Sequence, residues 1–362
     1  EWSACAPGVG ALREAAMNRS NQQADEKIPG TKYVRKAGSH ILLASSPGQF
    51  GHIVLFAGSA SQELGKEIAD YLGIKLGDYT LKVFSNENIF IRLNESVRGQ
   101  DVYLVQTMGS PVHDNFMEML IMIDTLKRDS AARINVIIPY YTYSRSDKKD
   151  QPRVGIAARL VANLIEAAGA DRYITIDLHA GQIQGFFNIP GDALSAFYLL
   201  SDYILEKNIP DLVVVSADLG FAKKGRNWAE RLGAPHAIIE KRRVDNAERP
   251  EALSIIGTVH DRNVLIVDDE VLTAGSVAQS VEALRAAGAR DIYFAFTHPL
   301  MTPEAFERLE KLNFKEIIMT NTLPVKKERL LPNMTVLSVA PLLAEVILRA
   351  HAGRSVGELF DE

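Results

Sequence analysis

Two adjacent carboxylates, Asp268 and Asp269, directly follow the apolar run Val264–Val267. A short run of this kind is typical of a strand in a parallel sheet, and such sheets bind ligands at the carboxyl ends of their strands. Carboxylates there suit ribose hydroxyls or Mg²⁺, since hard cations prefer oxygen ligands. The turn Thr273–Ser276 opens a predicted helix and offers hydroxyls and amides to an anion. This stretch fits a phosphorylated sugar; the alternative is an ordinary strand–turn–helix unit with an exposed acidic turn.

A long basic loop, Tyr143–Arg153, separates the predicted strand Ile134–Pro139 from a helical pattern. Loops at this place usually have about two to six residues. A long basic loop at the carboxyl edge of a sheet indicates a lid or clamp for polyphosphate, with Arg giving bidentate contacts and Lys a point charge. The alternative is a solvated charged loop. The cations concerned are Arg145, Lys148, Lys149 and Arg153.

Three further groups follow predicted strands. His179 ends the sequence Asp-Leu-His and could bind a metal-nucleotide or orient a phosphate, although a lone His is more often structural. Asp218 is another acidic strand end, and Lys241–Arg243 form either a phosphate clamp or a solvated edge. The polar stretch Val244–Glu251 then predicts a mobile flap. All these groups fall at predicted carboxyl ends, which scattered surface charge would not do.

Strand-like runs alternate with amphipathic helical patterns from His52 onward, which predicts an α/β fold of mostly parallel sheets flanked by helices. The first series of predicted strands is Ile53–Phe56, Leu81–Phe84, Val102–Gln106, Ile134–Pro139 and Tyr173–Asp177. The second series is Leu212–Ser216, Ala237–Ile239, Ser254–Thr258, Val264–Val267, Ile292–Phe296, Glu316–Thr320 and Val336–Val339.

A faint internal repeat indicates two similar halves. The sequence Ala-Ala-Gly-Ala precedes a strand and a His in both, with Gly169 and His179 each 119 residues before Gly288 and His298. The motif alone is a common helix end. With the repeated strand–loop–helix context it predicts domains over residues 49–195 and 196–362, and we expect residues 1–48 to be a disordered leader or a non-native extension.

Composition excludes several classes of protein. The chain has 362 residues, 47% of them hydrophobic, and a net charge of −5, which gives no argument for binding nucleic acid or an anionic membrane. It has no run of 18 apolar residues and therefore no expected transmembrane helix. Its single cysteine, Cys5, excludes a disulfide framework and a cysteine zinc site. A reducing, cytoplasmic location is expected.

Several motifs closely resemble the ribose-phosphate pyrophosphokinase family, in order from about Ile53 to Phe360. The most specific are Asp-Leu-His at 177–179 and Gln-Ile-Gln-Gly-Phe-Phe at 182–187. The other matching segments are 84–86, 95–103, 147–150, 241–243, 267–269 and 273–276.

The resemblance implies two domains of phosphoribosyltransferase type and Mg²⁺-dependent transfer of the β,γ-diphosphoryl group of ATP to the 1-hydroxyl of ribose 5-phosphate, with release of AMP. It also implies a homo-oligomer, a hexamer or an assembly of dimers, with no nucleic-acid or membrane partner. The implied catalytic residues are Lys241 and Arg243. The implied ATP-binding residues are Phe84, Asn86, Asn88, Arg145, Ser146, Asp147 and His179, with adenine held across a subunit contact. The implied residues for ribose 5-phosphate are Asp268, Asp269, Thr273, Ala274, Gly275 and Ser276, and those for metal are His179 and Asp218.

Three departures from the family pattern bear on function. The family usually has an acidic residue where Leu272 stands, a Glu where Asn88 stands and a Gly-rich form over Leu219–Phe221. Two alternatives to an active synthetase therefore stay open. One is a non-catalytic regulatory subunit associated with active chains, and the other is a phosphoribosyltransferase that consumes the activated sugar.

Overall fold

Two β-sheets form the centre of the molecule in a computed structural model, which describes residues 25–32, 34–36, 39–242 and 252–360. The strands are β1 (Asp25–Lys27), β2 (Val34–Lys36), β3 (Ile53–Ala57), β4 (Tyr79–Val83), β5 (Ile89–Leu93), β6 (Asp101–Val105), β7 (Arg133–Ile138), β8 (Arg172–Ile176), β9 (Gly191–Leu194), β10 (Leu212–Ser216), β11 (His236–Arg242), β12 (Ala252–Ile256), β13 (Asn263–Val271), β14 (Ile292–Pro299), β15 (Glu316–Thr320) and β16 (Met334–Leu337). The helices are α1 (Ser39–Ala44), α2 (Gln62–Leu72), α3 (Val112–Arg128), α4 (Ala157–Ala168), α5 (Phe197–Glu206), α6 (Ala222–Leu232), α7 (Gly275–Ala286), α8 (Pro303–Lys311) and α9 (Ala340–His351).

The first sheet has the order β3-β6-β7-β8-β9 and is parallel throughout. The second has the order β12-β11-β10-β13-β14-β15-β16, and only the β11–β12 pair in it is antiparallel. The central strands are buried along their length, as in sheets covered on both faces by helices. The predicted α/β class is confirmed.

Strand β13 is longer than the predicted Val264–Val267. It runs to Val271, so Asp268 and Asp269 occupy its carboxyl-terminal end instead of following it. Asp268 pairs in parallel with Phe296, and Glu270 with His298. The strand predicted from the sequence ends before the first polar residue, Asp268. In the structure, however, β13 stays hydrogen-bonded to β14 beyond that point.

The predicted strand Leu81–Phe84 belongs to neither main sheet. It forms an antiparallel hairpin, in which β4 pairs with β5 and Glu87 in the turn has a φ of 67°. The sequence does not predict β5 because its apolar run, Ile89–Ile91, is only three residues long and is followed by Arg92. Strand β9 was also missed, since Gly191 lies in a turn-like sequence. A Cβ there would lie 2.0 Å from the Tyr173 ring, so this position requires glycine.

The described part of the expected leader is structured, which corrects the expectation for residues 25–32, 34–36 and 39–48. Strands β1 and β2 form a short hairpin, and α1 follows. Ile28 and Ala44 are buried, and Lys27 contacts Asp202 of α5 at 2.5 Å. Short, weakly periodic elements gain order here by packing on the rest of the chain, which propensity cannot reveal. Residues 1–24 lie outside the described residues.

The last helix, α9, returns to the first half of the chain. Leu343 and Ile347 share a hydrophobic core with Leu64 and Ile68 of α2. The main sheets separate between Leu194 and Leu212, close to the predicted division at 195/196. Because α9 packs across that division, the domain limits stay a prediction. Within the described ranges, every helix falls short of the length and apolarity that a membrane span needs.

A buried ion pair fixes the end of α9 to the first sheet. His351 Nδ1 lies 2.8 Å from Asp101 Oδ2, and Arg133 Nη2 lies 2.6 Å from the same oxygen. The second ring nitrogen of His351 lies 3.0 Å from the carbonyl oxygen of Ser46. Burial opposes charge on the imidazole, but the hydrogen bond to Asp101 outweighs it and raises the pKa of His351, while Arg133 acts in the opposite direction. The pair therefore stabilises the fold most when His351 is protonated.

This pair predicts a pH dependence of thermal stability. The folded pKa of His351 exceeds its unfolded value of about 6.5. Its stabilisation is therefore complete below about pH 6.5 and is lost as the pH rises through the folded pKa. As the pH rises from about 6.5 to about 9, the wild-type Tm is expected to fall further than that of His351→Gln. Calorimetry at matched ionic strength checks this, and parallel pH profiles for the two proteins would refute it.

Candidate active site

The candidate site lies where the carboxyl end of β8 in the first sheet meets that of β13 in the second. His179, just after β8, places Nδ1 3.0 Å from Asp269 Oδ2. Arg145, from the long basic loop, donates through Nε to Glu270 Oε1. Residues predicted separately from the two halves are thus brought into direct contact, which the linear sequence could not show.

Asp177 anchors this junction. Its carboxylate accepts hydrogen bonds from Ser195 Oγ and Thr297 Oγ1, each at 2.7 Å, and so joins β8 to β14. Its backbone has a φ of 41°, an unusual conformation that the surrounding contacts hold in place. His298 is buried, with Nε2 3.1 Å from the carbonyl oxygen of Ile176, and burial lowers its pKa. His298 is therefore a neutral structural residue, unlike its repeat partner His179.

The two carboxylates Asp268 and Asp269 at the end of β13 have pKa values shifted in opposite directions. Burial alone would raise the pKa of Asp269, but the hydrogen bond from His179 and the charge of Lys224 lower it to about 2. Burial, and then the charge of Asp269, raises the pKa of Asp268 well above its usual value. The hydrogen bond to Asp269 raises the pKa of His179, favouring imidazolium. One carboxylate is thus permanently charged, and its neighbour would gain from a cation or a hydroxyl donor.

Lys224 was missed by the sequence interpretation. Its Nζ lies 3.9 Å from Asp269 Oδ2 and 5.2 Å from the centre of the Phe221 ring. Together with Trp228 it lines a cavity of about 330 Å³ beside Asp268 and Asp269. A lysine near the start of an amphipathic helix has no distinguishing pattern, so only the fold reveals this contact.

The turn Thr273–Ser276 has the geometry of an anion site. Ala274 adopts the left-handed conformation with φ 56°, and α7 begins at the next residue. A left-handed residue followed by a helix start turns successive backbone N–H groups toward one point. Arg308 of α8 donates to the Thr273 carbonyl at 2.8 Å, adding a cation beside the turn. No sequence signal marked Arg308, since it lies on an amphipathic helix.

The long basic loop is held by internal contacts. Asp147 is buried and accepts a hydrogen bond from Gln182, while Ser146 Oγ accepts from the Ala157 amide at 3.4 Å. Lys148 and Lys149 are exposed. The loop therefore presents Arg145 at the junction while its lysines remain in solvent.

The predicted metal residues do not form one ligand set. Asp218 is exposed, and its Oδ1 accepts from the Phe221 amide at 2.9 Å, whereas His179 is paired with Asp269. Across the described ranges, no group of three or more His, Cys, Asp or Glu side chains is arranged to hold a metal. Mg²⁺ is usually held by one or two carboxylates plus substrate phosphates and water. The residues present fit a magnesium ion that arrives with a nucleotide.

The predicted adenine residues lie apart from this junction. Phe84, Asn86 and Asn88 form the turn between β4 and β5, where Phe84 is 44% exposed and packs on Phe90. The contacts described for these side chains stay within the hairpin. The structure does not bring them to His179 within one chain.

The two flap cations are only partly described. Lys241 lies near the end of β11, where its backbone pairs with Leu253. Arg243 and the polar stretch after it lie outside the described residues. Their roles stay predictions.

Two α/β halves, an acidic strand end and a phosphate-type turn at a helix start define a protein of phosphoribosyltransferase type. A family model for the N-terminal domain of ribose phosphate pyrophosphokinase matches residues 53–169, and one for the phosphoribosyl synthetase-associated domain matches residues 242–361. The chain belongs to the ribose-phosphate pyrophosphokinase family.

Individual relatives agree over most of their length. The ribose-phosphate pyrophosphokinase of Wolinella succinogenes is 47% identical over 306 residues, covering 84% of this chain and 98% of the relative. That of Caldanaerobacter subterraneus is 48% identical over 307 residues, covering 84% and 97%. The crystal structure of phosphoribosylpyrophosphate synthetase from Mycobacterium smegmatis has a TM-score of 0.78 at 42% identity and covers 82% of this chain and 98% of that one.

Proposed function

We propose that this chain is an active ribose-phosphate diphosphokinase, which transfers the β,γ-diphosphoryl group of ATP to the 1-hydroxyl of ribose 5-phosphate and releases AMP. The observation that carries the proposal is the His179–Asp269 contact of 3.0 Å between the two halves. This contact places an imidazolium suited to binding phosphate, from the first half, next to a carboxylate suited to binding ribose hydroxyls, from the second half. A transfer between two bound substrates needs this juxtaposition, because it depends on positioning and charge more than on covalent chemistry.

Ribose 5-phosphate would bind along the carboxyl end of β13. Asp268 and Asp269 would accept hydrogen bonds from ribose hydroxyls, and the backbone amides and hydroxyls of Thr273–Ser276 would hold the 5-phosphate. Arg308 already braces that turn through the Thr273 carbonyl. Sugar and phosphate would then be fixed at opposite ends of one short segment, which orients the 1-hydroxyl.

ATP would bind on the side of the first half. Arg145, Ser146, Asp147 and His179 lie on the loops after β7 and β8 and would contact the triphosphate. Magnesium, held mainly by phosphate oxygens with Asp218, and by Nε2 of His179 only when that imidazole is neutral, would supply neutralisation of the triphosphate charge. Lys241 and Arg243 would stabilise the charge that develops on the transferred group, the kind of interaction that accelerates such a step.

Adenine would be held by a neighbouring copy of the chain. Phe84, Asn86 and Asn88 project on a hairpin whose contacts do not reach the junction, and Val83, Phe84 and Phe90 expose apolar surface there. A homo-oligomer, a hexamer or an assembly of dimers, would cover this surface and bring the hairpin to a second site. A cytoplasmic location, with no nucleic-acid or membrane partner, completes the proposal.

Release of AMP distinguishes this proposal from its alternatives. The purified chain with Mg²⁺, phosphate and ATP is expected to release AMP only when ribose 5-phosphate is added. A regulatory subunit would bind nucleotide without turnover, and a phosphoribosyltransferase would instead consume phosphoribosyl pyrophosphate with a base. Either of these results would overturn the proposal.

Leu272 provides a test of the departure from the family pattern. It is 40% exposed, and its carbonyl oxygen accepts from the Thr302 amide at 2.9 Å. Three carboxylates already occupy positions 268–270, so a further acid is not required. Leu272→Asp is expected to raise the KM for ribose 5-phosphate by no more than about fivefold, since like charges about 4 Å apart in water repel by about 1 kcal/mol.

The matched control is Leu205→Asp, at an equally exposed leucine on α5. It is expected to leave both KM values unchanged. If the wild type releases no AMP and Leu272→Asp does, the chain is a regulatory subunit and not an active synthetase.

A further inference from the structure

Glu270 is a buried carboxylate at the junction to which none of the roles above applies. Its side chain is 2% exposed, and Oε1 accepts a hydrogen bond from Arg145 Nε. His179 Nδ1 lies 3.8 Å from the same oxygen. The second oxygen, Oε2, is buried and has no hydrogen-bond partner in the part of the chain that the structure describes. A buried carboxylate with one unpaired oxygen is costly, so its contact with Arg145 calls for an explanation.

Arg145 is an unsuitable partner for a purely structural ion pair. Its side chain is 57% exposed, although Glu270 is almost fully enclosed. A pair that served only stability would gain more from a buried cation, because solvent screens an exposed one. The arrangement instead fixes one end of a guanidinium whose side chain is otherwise largely exposed to solvent.

The atom that Arg145 uses is the informative detail. The contact to Glu270 is made through Nε, and the described residues provide no further hydrogen bond to Nη1 or Nη2. Guanidinium is a rigid planar fork, so a bond at one edge sets the direction of the others. The terminal nitrogens remain available for a bidentate contact with phosphate oxygens.

Simultaneous binding also follows from this geometry. A carboxylate hydrogen-bonded to the terminal nitrogens of Arg145 would compete with phosphate for the same donors. Because Glu270 grips Nε, Arg145 can hold Glu270 and a phosphate together. Burial also opposes charge on Arg145, yet the charge of Glu270 outweighs it and raises the pKa of Arg145, which keeps the fork cationic.

We propose that Glu270 is a positioning residue that holds Arg145 by Nε, so that the terminal nitrogens of the guanidinium meet the phosphates of ATP. This inference rests on the proposed function and deepens it by adding a residue that acts through Arg145 without touching substrate. Ribose 5-phosphate should not depend on Glu270, because none of its proposed contacts is made through Arg145.

The test compares Glu270→Gln with the wild type in steady-state kinetics and in calorimetric binding of Mg²⁺ with a non-transferable ATP analogue. The variant is expected to raise the KM for ATP and the Kd of the analogue by roughly 10-fold, the scale of one lost charge-assisted hydrogen bond. The KM for ribose 5-phosphate should stay within about twofold. Glu270→Asp, which keeps the charge, should recover part of the loss.

Arg145→Lys supplies the decisive background, because lysine has no Nε. In that background Glu270→Gln is expected to change the KM for ATP by less than about threefold, since a lysine has no second set of donors for Glu270 to direct at the phosphates. Glu67→Gln is the matched control. Glu67 joins the halves far from the junction by accepting from Asn321 Nδ2 at 2.9 Å, and its loss should leave the KM for ATP unchanged.

Two results would overturn the proposal. A lower KM for ATP in Glu270→Gln would show that Glu270 competes with phosphate for Arg145. An equal loss in the wild-type and Arg145→Lys backgrounds would show that Glu270 acts only on the fold. A wild-type chain without turnover would refute the proposed function, yet the analogue-binding arm would still judge the role of Glu270.

Discussion

Lys241→Ala is expected to lower kcat by roughly 10²- to 10³-fold while leaving the KM for ribose 5-phosphate within about twofold. Lys241 lies near the end of β11, at the start of the stretch predicted as a flap. The charge it would meet grows only as the diphosphoryl group departs from AMP. An interaction made mainly in the transition state lowers kcat when it is removed and spares substrate binding. Steady-state kinetics with each substrate varied in turn checks this.

The matched control is Lys66→Ala, at an exposed lysine on α2. It removes an identical charge from the same chain and is expected to leave kcat unchanged. Near-normal kcat in Lys241→Ala, or a loss confined to KM, would remove Lys241 from the catalytic step.

Asp269→Asn is expected to produce the second large effect, on binding of the sugar. The carboxylate is paired with His179 at 3.0 Å and faces Lys224 at 3.9 Å, and an amide cannot balance either charge. Loss of a charged hydrogen-bond acceptor costs about 1.5–3 kcal/mol, so the KM for ribose 5-phosphate should rise by roughly 10- to 150-fold. Kinetics in ribose 5-phosphate at saturating ATP measures this directly.

Asp291→Asn controls for a general effect of removing a carboxylate. Asp291 is half exposed, lies in the second half of the chain and is 3.3 Å from Lys315. Its replacement should leave both KM values unchanged. If Asp269→Asn raises the KM for ribose 5-phosphate no more than this control does, Asp269 does not hold the sugar.

The sequence predicts the individual strand ends well, because burial and alternation are local properties. The runs around Val264 and Leu212 read as parallel strands from their apolar residues, and both lie at the centre of the second sheet. Because polar groups follow each of these strands, the sequence also predicts that the groups lie together at the carboxyl edge of the sheets. In the structure His179 contacts Asp269 directly, and Asp268 lines the same cavity as Asp269.

Features that depend on how elements pack against each other escape the same reasoning. The pairing of Arg145 with Glu270 joins residues 125 positions apart, and neither residue type nor spacing selects that partner among many. Lys224 and Arg308 are likewise set by the placement of amphipathic helices. The strand β4 is predicted, at Leu81–Phe84, but its partner β5 and their separation from the main sheets are not, because the apolar run of β5 is only three residues long.

The ordering of the described residues between 25 and 48 has a similar cause. Ile28 is fully buried although it is the only large apolar residue among its immediate neighbours, because the rest of the fold provides the surface that covers it. A segment with weak intrinsic periodicity is stabilised there by tertiary packing. Composition alone predicts disorder for such a segment, because it does not show that another part of the chain will bury the apolar side chain.

The destination of the ATP phosphates tests the central claim most directly. Phosphorus-31 NMR of the purified chain with Mg²⁺, phosphate, ATP and ribose 5-phosphate should show the β- and γ-phosphorus signals moving together into a diphosphate ester at C1 of the ribose, with stoichiometric AMP. The change should be absent without ribose 5-phosphate. Transfer of the γ-phosphoryl group alone, with ADP as product, or no ribose 5-phosphate-dependent change at all, would contradict the assignment of diphosphoryl transfer to this chain.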